Sequence, residues 1–587
     1  MSSHTVIKQV TKSTFTPSLL RELKSHIDAC DFISLSSIKT FSATSASSWR
    51  RRLLPFDTAE TAYLKAKLAA ESFQILNVSI CPFRVEGSKV VAFPSTLIQN
   101  QLKCYNFHLF PREEQSYSFS CQASYLESLA RKGFDFNLCI YEGISYLSRV
   151  QESLAKRRNA THLDFKVFSK SRKSVADSLF MERIKARIQY WRKSCLNSNK
   201  SPHGDLANSL RQLILGTQLH GERPCMTIDV CSDNQLNLIL ETVNGISDSL
   251  VPLVVRNSLG TPTSVRVVFT SSEEDKSALL SDIDHAEEEQ SFNLRGFREV
   301  MDLISNSQKP IVSINCLNDF AFFHEKFIAP LPPSLHEFTC SLKMVFPKIL
   351  DLGHLMKEIG PLKNAMDTSS SLNLEVPFQA DRDGGQSNQG RNALKIISLF
   401  VKINYLHICN NIEGYFNMFH PTACMELESV GCQDDTNTYL THQEDIAKLG
   451  VHNLVFLWGF NAASSLQLKD KLRKYHPIFH ENFDLKVIDR NCAAIAFQRQ
   501  GAVVELLKEI KPRSSSIENM ISDGVIIAGF GAYEKVCRMG LWDGRLADSL
   551  QTVVLSDNTN SPLLAEKSTE ICWDNEVMLD QNEYLKV

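Results

Sequence analysis

Hydrophobic and polar positions change period several times along the chain, and each change marks an element. Ser18 to Ile27 reads as a short helix and Asp31 to Leu35 as a strand. Phe56 to Phe73 follows as an amphipathic helix, with Asp57 and Thr58 placed to cap it and Tyr63, Leu64 and Leu68 as an apolar stripe. Gln74 to Cys81 and Tyr105 to Phe110 alternate or are β-rich, and predict strands. Asp177 to Phe269 has the mixture expected of a smaller α/β unit. The acidic run Glu273 to Gln290 predicts a solvated helix, leading through Phe297 and Val300 into a strand at Pro310 to Asn315. Thr368 to Asn392 is rich in Ser, Gly, Asn and Gln and reads as a loop, followed by a helix from Ala393 to Leu406.

Beyond a polar stretch near Gly431 to Glu444 the pattern turns compact. Strand (Leu454–Trp458), helix (Ser464–Tyr475), strand (Phe483–Ile488), strand (Ala493–Gln498) and helix (Ala502–Ile510) succeed one another. Val525 to Ala528 can close a βαββαβ sheet. The tail beyond Leu555 is acidic and reads as disordered.

Length adds a bound: 587 residues suggest roughly two to four domains. Charge adds another. Lys and Arg number 63 against 66 Asp and Glu, which excludes a uniformly basic nucleic-acid coat but not a local basic groove. Positive charge gathers between Arg149 and Lys173, a stretch that fits either a solvated linker or a phosphate-contacting loop. It gathers again at Arg183, Lys185, Arg187, Arg192 and Lys193, where Tyr190 and Trp191 are interleaved. That mixture suits backbone attraction with base stacking, and suits equally the outer face of an ordinary amphipathic helix.

The densest apolar run, Leu454 to Ala463, is about half the roughly 20 residues that span a bilayer, so no membrane association is expected. The 16 Cys are scattered, without a Cys-x-x-Cys pair or zinc-finger spacing, as in a reducing compartment such as nucleus or cytoplasm. The first 21 residues lack acidic side chains, which fits a transit peptide or the opening elements of a first domain. Phosphate-loop, dinucleotide, zinc-protease and Gly-x-Ser-x-Gly motifs are all missing from the sequence.

Longer stretches carry more information. FDTAETAYLKAKLAAESFQILNVSICPFR (Phe56–Arg84), YNFHLFPRE (Tyr105–Glu113) and FSCQASYLESLARKGFDFNLCIYEGISYLS (Phe119–Ser148) resemble the poly(A)-specific ribonuclease (PARN-like deadenylase) family. So do PIVSINCLNDFAFFHEKFIAPLPPSLHEF (Pro310–Phe338) and FPKILDLGHLMKEIGPLKN (Phe346–Asn364). The resemblance implies an α/β chain with a ribonuclease-H-like DEDD exonuclease fold in two halves, 1–150 and 290–410. A linker (151–176) and a small α/β RNA-binding-type insert (177–270) would separate them. An RNA-recognition-like βαββαβ domain (450–530) and an acidic tail (555–587) would follow.

The activity it implies is 3′→5′ removal of poly(A). Four carboxylates hold two divalent ions, Mg²⁺ in the family, about 4 Å apart on the scissile phosphate, and a His acts on the attacking water. The residues here depart from that set. Aligned on Asp31-Phe32, the family's Asp-x-Glu falls on Ser36 and Ile38. S-I-N-C-L-N-D-F keeps the third carboxylate at Asp319, with Asn315 supporting the turn; a helix cap would also keep an Asp there. The last motif falls on Gly390-Arg391-Asn392-Ala393, so Asn392 stands for the Asp and Ser387 for the His. One of four carboxylates is matched, and metal binding is expected to be weak or absent; Asp31, Asp57, Asp381 and Asp383 are the candidates to compensate.

In the C-terminal domain Phe456 holds the base-stacking position, with Trp458 beside it. Arg490 and Phe497 match part of the second RNA-recognition motif, whereas Cys492 and Ala494 replace its central rings. The insert lacks an Arg-x-x-x-His, although His220 and Arg223 are close in sequence. Three readings stay open. The chain binds poly(A) or another single strand without cutting it, it is a deadenylase with a rebuilt metal site, or it is a scaffold that dimerises with itself or with an active relative.

Overall fold

A computed structural model describes residues 4–558 apart from 44–47, 55, 87–88, 92–100, 112–117, 154–173, 199–217, 222, 257–260, 315, 359–389, 404–411, 420–449, 461–464 and 511–523. Most of the basic 149–173 stretch, Asn315, Asp381, Asp383, Ser387 and the acidic tail past Asn558 lie outside the described residues.

The strands in chain order are β1 (His4–Val10), β2 (Phe32–Lys39), β3 (Ile75–Glu86), β4 (Lys89–Val91) and β5 (Gln101–His108). There follow β6 (Gln218–His220), β7 (Arg223–Asp229), β8 (Leu250–Arg256) and β9 (Pro262–Phe269). Next come β10 (Ile311–Ser313) and β11 (Ile349–Asp351), and last β12 (Leu454–Trp458), β13 (Phe483–Asp489), β14 (Cys492–Phe497) and β15 (Ile526–Gly529).

The chain divides into two compact units. One comprises Met1–Ser42 with Ala69–Leu427, the other Ala43–Leu68 with Glu428–Val587. The first unit is built on a mixed sheet ordered β1-β5-β3-β2-β10-β11, with β4 paired to β3. Strands β10 and β11 are parallel to β2, whereas β3 is antiparallel to it. The segment that fits a transit peptide is here strand β1, paired in parallel with β5, and the helix Pro17–Ala29, which buries Leu19, Leu23 and Ile27. Thr16 caps that helix through its hydroxyl, and Pro17 opens it.

Helix Arg391–Ile403 covers one face of the sheet. Leu394, Ile397 and Phe400 pack there with Cys81, Phe83, Val312 and Leu350. Gly390, at φ +92°, lets the chain enter that helix tightly: a Cβ there would lie 2.7 Å from Ile7 Cγ2.

The inserted sheet, ordered β6-β7-β9-β8, is covered on both faces. Helices Val175–Ser198 and Asp233–Ile246 bury Ile184, Ile188, Trp191, Ile239 and Val243 against Val265 and Val267. On the other face the expected acidic helix, Glu273–Arg295, is solvated along one side and buries Leu279 and Ile283 against Val251, Leu253 and Val268.

In the second unit the order of elements is β12, helix Ser465–Tyr475, β13, β14, helix Ala502–Ile510, β15, and the sheet runs β13-β14-β12-β15. The two helices cover the face that carries Val455, Leu457, Ala493, Ile495 and Phe497. Two further helices, Phe530–Arg538 and Leu546–Asn558, extend this unit beyond the elements expected from sequence.

Candidate functional site

Strand β2 carries both sequence-predicted positions, and its pairing fixes which way each side chain faces. Ser34, Ser36 and Ile38 lie opposite Cys81, Ser79 and Asn77, so this alternate set shares the face under helix Arg391–Ile403. Ser34 Oγ donates to the carbonyl of Ala393 at 2.7 Å, next to Asn392, which is half-buried in the helix's first turn. Around Ser36 the face is polar but uncharged. Ser79 Oγ donates to Asn106 Oδ1 at 2.6 Å, and Asn106 Nδ2 donates to Gln9 Oε1 at 2.6 Å. His108 Nε2 lies 2.9 Å from the same Gln9 oxygen, and burial holds the imidazole down to about 4, against a weaker upward pull from Asp135. Asn77 Nδ2 is buried without a hydrogen-bond partner. Ile38 packs against Leu76, Leu129, Phe134 and Cys139.

Asp319 sits in the first turn of helix Cys316–Phe323 rather than at its cap. The residues that meet it are one register away from those read in the sequence. Ser37 Oγ donates to Asp319 Oδ1 at 3.1 Å, and Lys39 Nζ donates to the same oxygen. Lys39 and Asp319 are both nearly buried, with side-chain exposures of 7% and 10%. The Lys39 ammonium also lies 5.1 Å from the centre of the Phe322 ring. A pairing irregularity between Ile38 and Lys39 marks where the strand changes course. Ser36 and Ile38 therefore do not share Asp319's immediate surroundings; Ser37 and Lys39 do.

This set does not fit a pair of divalent ions. Asp319 already neutralises a lysine, and a doubly charged ion about 4 Å from that ammonium would meet a repulsion on the order of 8 kcal/mol at an effective dielectric near 20. Among the described residues no group of three or more His, Cys, Asp or Glu side chains is arranged to hold a metal. Asp31 accepts from Val85 N and lies 3.8 Å from Arg84, at the entrance of β2. Asp57 belongs to the second unit.

Asp57 is fully committed there. Its carboxylate accepts from Lys65 Nζ at 2.8 Å, Tyr533 Oη at 2.6 Å and Leu54 N at 2.7 Å. Burial first, and then the Asp57 charge, push the Tyr533 phenol well above its ordinary value. Above this triad Phe456 stacks on Tyr533, with ring centres 4.9 Å apart, and meets the edge of Phe56 at 5.3 Å.

The aromatic positions expected to meet RNA are buried within their units. Phe456 and Trp458 are buried on the sheet face that Tyr533, Phe530 and Phe56 cover, and Phe497 lies in the core under the two helices. Trp191 is a core residue of the insert, whereas Arg187 and Tyr190 are exposed on the same helix. Arg490 is exposed in the β13–β14 turn. His220 pairs with Arg223 across the β6–β7 hairpin, and Arg223 is bound by Asp275 at 2.7 Å. Sequence reasoning missed Lys39, Tyr533 and the Lys65–Asp57 pair. An uninterrupted Ser-Ser-Ile-Lys ending a buried strand was the one available signal for Lys39.

Residues 10–395 match the family described as CAF1 family ribonuclease. The chain is 40% identical to an Arabidopsis thaliana protein called poly(A)-specific ribonuclease PARN-like, over 98% of this chain and 96% of that one. The chain belongs to the PARN-like deadenylase family. The A. thaliana protein named poly(A)-specific ribonuclease PARN is 31% identical over 64% of this chain and 55% of its own length. Among solved structures, S. pombe Pop2p in its Mg²⁺- and Mn²⁺-bound form aligns with 71% of this chain and 99% of its own at 13% identity and a TM-score of 0.33. For this PARN-like chain the mixed sheet and its covering helix form a ribonuclease-H-like exonuclease fold. Its departures in charge stand against that family background.

Proposed function

We propose that this PARN-like protein holds adenosine-rich single-stranded RNA 3′ ends without hydrolysing them. The observation that carries this reading is the commitment of Asp319 to Lys39 and Ser37, on a strand that offers no second carboxylate. Phosphodiester hydrolysis by this fold needs anionic ligands that concentrate positive charge on the scissile phosphate. Here the protein supplies a resident ammonium to one oxygen of Asp319 and leaves the other β2 face neutral. A neutralised, buried ammonium cannot lower the pKa of an attacking water as a bound metal does, so the arrangement has no source of hydroxide.

RNA contact of this kind draws support from the exposed face of helix Val175–Ser198, which presents Arg183, Lys185, Arg187, Tyr190 and Lys193. The βαββαβ order of the second unit supports an RNA-recognition-like ancestry, while its buried rings argue for contact by charge rather than by stacking.

The test is a 5′-labelled oligo(A) incubated with Mg²⁺ or Mn²⁺. The expected result is a filter-retained or gel-shifted complex with no ladder of shortened products, unchanged in Asp319→Ala. A metal-dependent ladder that Asp319→Ala abolishes would establish the alternative, an active deadenylase.

A further inference from the structure

Between β2 and helix Ala59–Ser72 the chain reads Ser48-Trp49-Arg50-Arg51-Arg52, a run of three arginines that the nuclease site does not use. Its position is fixed by neighbours on both sides. Trp49 is buried, and its ring lies tilted at 5.7 Å from that of Trp542 and 6.3 Å from that of Tyr533. Arg50 Nη1 donates to the carbonyl of Trp542 at 2.8 Å, and Lys65 Nζ holds the carbonyl of Arg52 at 2.9 Å. The Arg52 guanidinium reaches the carbonyl of Ile488 on β13 at 3.4 Å.

Two residues earlier on β13 stands Lys486, exposed and opposite Ala494, which is in turn opposite Phe456. Lys486 therefore lies on the sheet face where Phe456 is covered, at its open edge. Burial, and then the charge of Arg52, lower the Lys486 ammonium; burial, and then Arg50, lower the Arg51 guanidinium. Among the described residues no carboxylate pairs with Arg50, Arg52 or Lys486. Of the acids on β13, Asp489 accepts from Asn491 N and Leu546 N, and Asp484 is exposed two positions before Lys486. The Arg50 Nε proton is buried with no acceptor.

We infer that Arg50, Arg52 and Lys486 form a phosphate-binding site for the backbone of a single-stranded nucleic acid. The segment that buries the stacking rings thereby gives the same sheet edge a base-indifferent grip. Guanidinium groups held by backbone carbonyls keep their remaining donors in a fixed fork, the geometry that suits phosphate oxygens. With Phe456 and Trp458 covered, the grip reads charge and not base identity. The inference rests on the proposed RNA binding only for its probe.

The experiment measures binding of fluorescein-labelled 20-mers of oligo(A) and oligo(U) to the full chain over a range of KCl concentrations in EDTA. It compares wild type with Arg50→Gln/Arg52→Gln/Lys486→Gln and with the charge-keeping Arg50→Lys/Arg52→Lys. The glutamine variant is expected to lower the slope of log K against log salt by about 2, at about 0.7 per single-strand phosphate contact, equally for both oligomers. The lysine variant should keep the wild-type slope, which separates lost charge from lost folding. An unchanged slope in the glutamine variant, with wild type still binding, would overturn this site and leave the proposed function standing. Wild type that binds neither oligomer would overturn both. A loss confined to oligo(A), or wild-type affinity for phosphatidylserine vesicles in place of the oligomers, would also overturn it.

Discussion

Replacing Lys39 with Met keeps the length and the apolar stem against Phe322 but removes the charge that faces Asp319. The carboxylate would keep one hydroxyl donor, Ser37, and almost no water. Breaking a buried ion pair from one side costs about 3–5 kcal/mol, and the surviving Ser37 bond places this case near 3. Asp319→Leu alone strands the ammonium and should cost a similar amount. The double variant Lys39→Met/Asp319→Leu removes both charges together and should lie within about 1 kcal/mol of wild type, because apolar replacements of buried pairs are nearly neutral. Native-state hydrogen exchange on peptides covering Phe32–Lys39 and Cys316–Phe323 reports the stability of both partners. The expected cycle therefore has a coupling of several kcal/mol. Single-variant losses that simply add, within about 0.5 kcal/mol, would refute the claim that these two charges depend on each other.

Tyr533→Phe removes the phenol that donates to Asp57 and should cost the second unit about 2 kcal/mol, read from its thermal transition; no loss would mean that the remaining donors, Lys65 and Leu54 N among them, satisfy the carboxylate. His108, buried and held down to about 4, gives a pH signature. Its folded-state value is below the ordinary 6.5, so its contribution is complete above that pH and is lost as pH falls from 6.5 toward 4. The loss amounts to at most about 3 kcal/mol, and His108→Gln should flatten the stability profile in that window. Glu22 works lower on the scale. Burial raises it, yet bonds from Lys8, Lys103 and Tyr105 prevail and hold it at about 2. Its stabilisation is present above about 4.3 and fades as pH drops toward 2, so Glu22→Gln should unfold with less acid sensitivity below pH 4.

Much of the secondary structure was legible because flanking signals agreed with period. Leu454–Trp458 and Ala502–Ile510 match their expected limits, and the expected helix at Ser464–Tyr475 is Ser465–Tyr475. Burial was harder to read. A strand such as β12, covered on both faces, carries the same apolar run whether its outer ring stacks on a base or on Tyr533, so Phe456 and Trp458 could not be assigned from pattern alone. The cover itself comes from far away in sequence, at Phe56 and Phe530–Arg538, and only tertiary contact reveals it. At the nuclease-type site the resemblance put Ser36 and Ile38 at the family's carboxylate positions, but the facing of β2 could not be read from it. An irregular pairing at its end brings Ser37 and Lys39 to Asp319 instead of the neighbouring register. Trp191 differs for a simpler reason: a step of one residue, about 100° around the helix, decides whether a ring amid arginines points outward, as Tyr190 does, or into the core.

The pairing of Ala43–Leu68 with the C-terminal half has a consequence for synthesis. Asp57 and Tyr533 are 476 residues apart, so at about 5–20 residues per second the early segment waits on the order of 25 to 95 seconds for its partner to leave the ribosome. Phe56 has no ring to meet until Phe456 is made, and Trp49 none until Tyr533 and Trp542 follow. A premature stop before Phe530 removes Tyr533 and Trp542, which leaves Asp57 without its phenol donor and Trp49 without either ring that it meets.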